Sequence, residues 1–149
     1  MLKKYHSSST KETEKIGYGL AKTLDENNIK SAFVAMFGEM GVGKTAFTRG
    51  FCSYFGIESV MSPTYTVLNE YRGRALVHHF DFYRITDEDD LYSIGFTDVT
   101  ESEGYSIGEW SENIESSLPE NAVRVTISRT DFSLDAESDR TVEILIPSL

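Results

Sequence analysis

Ser31-Ala32-Phe33-Val34-Ala35-Met36-Phe37-Gly38-Glu39-Met40-Gly41-Val42-Gly43-Lys44-Thr45-Ala46 is the stretch that decides how this chain is read. From Ser31 to Phe37 it is a nearly continuous apolar run, the pattern of a strand covered on both faces. From Gly38 to Thr45 it fits G-x-x-x-x-G-K-[ST] at every fixed position, a phosphate-binding P-loop. The glycines permit backbone angles and close approaches that a Cβ would block. The N–H groups then turn inward as an anion-binding nest, and the following helix adds the positive end of its dipole. The run Glu39, Met40, Gly41, Val42, Gly43, Lys44, Thr45 and Ala46 is therefore the expected nucleotide-phosphate site. Lys44 is placed to reach the terminal phosphates, and the Thr45 hydroxyl to ligate Mg²⁺.

Working outward, Ser9-Thr10-Lys11-Glu12 matches a capping box. Ile16, Leu20 and Leu24 follow at helical spacing, which predicts a helix from Thr10 to Asp25. Met1 to Ser8 reads as a short flexible leader. Lys44 to Phe55 reads as the helix after the loop, with Gly56 just past its end. Thr66 to Tyr71 and Ala75 to Asp81 read as strands joined by a hairpin at Arg72-Gly73-Arg74. Asp87 to Ser93 suits a short acidic helix, Tyr105 to Glu109 a buried strand, and Ser111 to Ser117 a helix. Val123 to Ser128 and Thr141 to Ile146 read as late, alternating strands. Strand–loop–helix followed by hairpins predicts an α/β fold: a P-loop NTPase-like three-layer domain, spanning residues 1–149, with a mixed sheet flanked by helices.

The 149 residues suit one core. A net charge of -10 argues against nucleic acid as a directly gripped partner, because that needs surplus Lys and Arg. Cys52 is the single cysteine, which excludes an internal disulfide and Cys-x-x-Cys metal pairs and leaves the cytoplasm as the default location. No apolar run reaches membrane-spanning length.

A P-loop alone holds phosphate; hydrolysis also needs a fixed metal and an oriented water. Two carboxylates close predicted strands: Asp81 after Leu76-Val77-His78-His79-Phe80, and Glu109 after Tyr105-Ser106-Ile107-Gly108. Pattern alone favours Asp81 for the metal. Ser62-Pro63-Thr64-Tyr65-Thr66 lies where switch loops lie in other NTPases, and Thr64 is a candidate to meet the γ-phosphate or Mg²⁺. His78 and His79 point to opposite faces of a strand and cannot easily share one ion; one is expected to pack inward and the other to hydrogen-bond. Trp110, beside Glu109, is expected to border the nucleotide.

Gly38 to Thr45, Ser62-Pro63-Thr64-Tyr65, His79-Phe80-Asp81-Phe82-Tyr83-Arg84 and Glu109-Trp110-Ser111-Glu112 occur in an order and spacing that resemble the TsaE (YjeE) family. The resemblance runs from the helix containing Thr13 and Gly17 to the last strand. It implies an ATPase with ATP and Mg²⁺ as cofactors, slow alone and stimulated by TsaB and TsaD partners. The pathway implied installs threonylcarbamoyl on adenosine 37 of tRNA, with tRNA met only indirectly through the complex. It assigns Mg²⁺ to Glu109 with Thr45, hydrolysis to Asp81, and base or ribose contacts to Thr13 and Arg129. A small-molecule kinase is the alternative, although the Arg-rich lid usual in that class is missing.

Overall fold

The computed structural model describes residues 1–61, 67–130, 139–147 and 149. The apolar run is β2 (Ser31–Phe37), and its alternation sets the layering. Val34 and Met36 face one core, and Phe33 and Ala35 face another on the opposite side. The remaining strands are β1 (Leu2–Ser7), β3 (Leu68–Arg72), β4 (Leu76–Asp81), β5 (Gly104–Glu109), β6 (Val123–Arg129) and β7 (Arg140–Leu145). They join β2 in one sheet of order β1-β7-β6-β2-β5-β4-β3. β6, β2, β5 and β4 run parallel, while β1, β7 and β3 attach antiparallel at the flanks. The sheet is thus mixed, as the alternation of strand–helix and hairpin segments predicts.

One face is covered by α1 (Thr10–Glu26) and α2 (Lys44–Tyr54). Leu20 and Leu24 of α1 and Phe47 and Phe51 of α2 pack there on Val34, Met36, Ile107 and Val125. The two helices cross closely because glycines meet the opposing backbone. A Cβ on Gly17 would lie 2.1 Å from the Phe47 carbonyl oxygen, and one on Gly50 1.8 Å from that of Glu14. Ser9 caps α1 by accepting from the Glu12 amide at 3.1 Å, and the Glu12 carboxylate reaches back to the Ser8 amide at 2.8 Å. That return bond falls one residue earlier than the capping-box pattern predicts.

The opposite face carries α3 (Glu88–Ser93), α4 (Phe96–Glu101) and a 3-10 helix at Ser111–Ser117. Its core is aromatic, built on Phe33, Phe80, Phe82 and Phe96. The sequence did not predict α4, in which Phe96 is the buried residue. The predicted helix at Ser111 is wound as 3-10 and kinks at Ile114.

The expected flexible leader is instead β1, an edge strand. Leu2 pairs with Leu145 and Ser7 with Arg140 along β7. Lys4 meets Glu143 at 3.5 Å, and the N-terminal amine donates to the Ile146 carbonyl at 2.9 Å. Backbone pairing, not apolar burial, holds this strand: Leu2 to His6 are exposed and only Ser7 is buried. Lysines on such an edge also discourage pairing with a second chain. No helix among the described residues is long and apolar enough to cross a membrane.

Candidate functional site

Parity and register assemble the site. On β4 the side chains of Val77, His79 and Asp81 share a face, as do Tyr105, Ile107 and Glu109 on β5. Val77, Tyr105 and Ile107 lie in the core beneath α1 and α2. Asp81 stands opposite Glu109 in the parallel ladder. Both carboxylates therefore emerge at the carboxyl ends of their strands, on the side where β2 hands over to the P-loop. Ligands of open α/β sheets bind at that edge.

The P-loop adopts the backbone its glycines allow. Gly38 has φ +147° and Gly43 φ +113°, where a side chain would be strained. Lys44 opens α2, and its Nζ donates to the Gly38 carbonyl at 2.6 Å and lies 3.8 Å from the centre of the Trp110 ring. Burial holds the Lys44 ammonium below its ordinary pKa, opposed by the negative charges of Glu112, Glu109 and Asp81. The Gly38 amide donates to Glu112 Oε2 at 3.0 Å. Glu112 is a contact that sequence reading did not assign, although it follows Glu109 by three residues.

Thr45 Oγ1 lies 3.3 Å from Glu109 Oε1, and Glu109 is buried. The second carboxylate oxygen, Oε2, meets His79 Nε2 at 2.5 Å. His79 Nδ1 contacts the Tyr71 hydroxyl at 3.2 Å, and that hydroxyl donates to the Met61 carbonyl at 2.8 Å. Glu109 is thus gripped on one oxygen and turned to Thr45 on the other. Asp81 is set differently. Its Oδ1 accepts from the Tyr83 amide at 2.9 Å, and burial raises its pKa, with the Glu109 charge adding to the shift. The carboxylate beside Thr45 is that of Glu109, with Asp81 opposite it in the ladder.

Both histidines are buried, and both make polar contacts, contrary to the expectation that only one would. His78, on the other face, meets Glu70 Oε2 at 3.2 Å. Trp110 takes a left-handed backbone conformation, φ +62°, rare for a bulky residue. This turn lays its ring over Lys44 and 5.1 Å from that of Tyr83. Glu39 and Met40 are exposed at the loop tip, while Val42, Lys44 and Ala46 are buried. Thr64 and its neighbours 62–66 lie outside the described residues.

Thr13 sits behind the loop, buried, with its Cγ2 facing Gly43 and its hydroxyl 2.8 Å from Ser7 Oγ. It lines a cavity of about 110 Å³ together with Thr10, Gly41, Gly43, Ala46 and Arg140. Arg129 Nη2 donates to the Gly41 carbonyl at 3.3 Å. Arg140, which sequence reading passed over, donates through Nε to the Val42 carbonyl at 3.1 Å.

The donors fit a hard divalent cation. A hydroxyl and one carboxylate oxygen, side by side at the phosphate loop, suit Mg²⁺, which keeps waters and phosphate oxygens as its remaining ligands. Among the described residues, no group of three or more His, Cys, Asp or Glu side chains is placed to hold a metal by itself.

A family model described as threonylcarbamoyl adenosine biosynthesis protein TsaE matches residues 7–140. A Treponema pallidum protein named tRNA threonylcarbamoyladenosine biosynthesis protein TsaE is 33% identical over 122 residues, covering 81% of this chain and 87% of its own. A Haemophilus influenzae protein of the same name is 36% identical over 110 residues, covering 72% and 70%. The crystal structure of YdiB from Bacillus subtilis aligns with a TM-score of 0.74 at 25% identity, covering 98% of this chain and 86% of that one. With a strand–P-loop–helix unit at its centre and this agreement along nearly its whole length, the chain belongs to the TsaE family.

Proposed function

We propose that the chain binds ATP with Mg²⁺ on the Gly38–Ala46 loop and hydrolyses it as the accessory ATPase of tRNA threonylcarbamoyladenosine formation. The observation that carries this is the pair Thr45 Oγ1 and Glu109 Oε1, 3.3 Å apart at the mouth of the P-loop. In the proposed site these two oxygens would hold Mg²⁺, which would supply charge neutralisation to the polyphosphate. Lys44 leaves the Gly38 carbonyl and the Trp110 ring and turns to the terminal phosphates. The loop amides and the N-terminus of α2 surround the rest of the polyphosphate. Asp81 orients the attacking water and accepts its proton. Its raised pKa makes it a stronger base than an ordinary surface aspartate. The hydroxyl of Thr64 is assigned to the γ-phosphate, and Thr13 to the base and ribose side.

The same reading gives the chain TsaB- and TsaD-type partners in the cytoplasm and contact with tRNA only through them. The names of its relatives support the pathway, and its net charge of -10 supports indirect contact with tRNA. The test is ATP turnover by the chain alone and with the partner pair. Slow turnover that the pair accelerates is expected, and no turnover in either condition would overturn the proposal. Tight, salt-sensitive binding of tRNA to the isolated chain on filters would overturn the indirect contact.

A further inference from the structure

The ladder between β6 and β7 ends with Arg129 opposite Arg140. Partners in an antiparallel ladder share a face. The preceding pair on that face, Ile127 and Val142, lies in the core beneath α1 and α2. Both strands therefore exchange an apolar stripe for an arginine at the level of the phosphate loop. Arg140 is only 4% exposed. A guanidinium so buried is costly unless its donors find acceptors. Here two neighbouring guanidinium groups donate to two consecutive loop carbonyls, those of Gly41 and Val42.

A trans peptide sets its C=O antiparallel to the next N–H, and the described residues contain no cis bond. Drawing the Gly41 and Val42 carbonyls toward the arginines therefore turns the N–H groups of Val42 and Gly43 the opposite way. The Val42 amide points back into the loop, where it reaches the Glu39 carbonyl at 3.4 Å, near the limit of a hydrogen bond. A phosphate oxygen would be a better acceptor for it.

We infer that Arg129 and Arg140 are positioning residues that hold the loop carbonyls outward so that the Val42 and Gly43 amides face the bound phosphates. They act through the direction of their donors and not through charge alone. For Arg129 this replaces a base or ribose contact with a contact to the loop itself. The inference rests on the nucleotide reading above and names the residues that preorganise its anion nest.

The test is titration of a fluorescent ADP analogue with Mg²⁺ into the wild type, Lys44→Ala, Arg129→Gln, Arg140→Lys and the arginine double variant. Melting of each protein without nucleotide and amide exchange of the loop with ADP bound complete it. A hydrogen bond to a charged group is worth enough that each arginine variant should bind about tenfold more weakly. Arg129→Gln should melt close to wild type without nucleotide, and loop amides should exchange faster in the variants. Arg140→Lys keeps the charge but not the planar donor geometry, so wild-type affinity there overturns the geometric role. Should Arg140→Lys fail to fold, the half-exposed Arg129→Gln carries the test, and wild-type affinity in it overturns the inference. Binding that is lost in Lys44→Ala but kept in every arginine variant overturns this inference alone. Absent binding in the wild type, or binding indifferent to Lys44→Ala, overturns the nucleotide reading and this inference with it.

Discussion

Along β4, Val77, His79 and Asp81 face α1 and α2, while His78 and Phe80 face α3 and α4. The first side ends in ionisable groups: His79 on Glu109, Asp81 beside it, and Lys44 buried at the loop. The second side is aromatic packing apart from His78, which meets Glu70. Phe80 stacks on Phe82 with ring centres 5.2 Å apart, and Phe96 meets Phe33 edge-on at 5.6 Å. Residues adjacent in sequence thus belong to different tasks, because a strand alternates its faces. The aromatic layer packs against the sheet, and the β4–β5 register sets the two carboxylates side by side at the loop. Stability and chemistry should then be separable by substitutions one or two residues apart.

The largest effect should come from the packing side. Phe80→Ala is expected to cost about 3–5 kcal/mol in denaturant unfolding, with nucleotide affinity unchanged while the protein remains folded. Loss of binding by fully folded Phe80→Ala would mean that the two faces are not independent. Next is Glu109→Ala, which should lower ATP turnover roughly 10²- to 10³-fold in protein that remains folded. Equal turnover would remove Glu109 from the site. His79→Ala should raise the Mg²⁺ concentration for half-maximal turnover by roughly 10- to 100-fold, the usual cost of losing a residue that orients a metal ligand. An unchanged Mg²⁺ dependence would reduce His79 to packing.

The smallest effect is on stability and has an unusual sign. Burial raises the Asp81 pKa above its ordinary 3.8. The folded protein then binds more protons than the unfolded chain between these two values, so this residue's contribution falls as pH rises through the folded pKa. Asp81→Asn should stabilise the nucleotide-free protein at pH 8 by less than about 1 kcal/mol, and the gain should vanish below pH 3.8. A loss of stability at pH 8 would show that the ionised carboxylate is better accommodated than its burial implies.

The phosphate loop, β2, α1 and α2 were legible because their signals are local: a run of glycines, an apolar run, a cap and a helical stripe. The position of β1 was not, because an edge strand held by backbone bonds needs no apolar pattern, and Leu2 to His6 are exposed. It matters to the site all the same, since Ser7 pairs with Arg140 and contacts Thr13. The helix α4 carries no legible stripe, because Phe96 is its one buried residue and Val99 is only partly buried beside it. The pairing of His79 with Glu109, and of Arg129 and Arg140 with the loop, depends on which strands become neighbours. Sequence spacing alone does not carry that, since it is the β6–β7 register that sets Arg129 opposite Arg140.

The most direct measurement is calorimetric titration of ATP into the wild type and Lys44→Ala, each with Mg²⁺ and with chelator. The account predicts saturable binding at one site per chain, weakened when Mg²⁺ is withdrawn and lost in Lys44→Ala. Binding of equal strength in all four titrations, or none in the wild type with Mg²⁺, would contradict it.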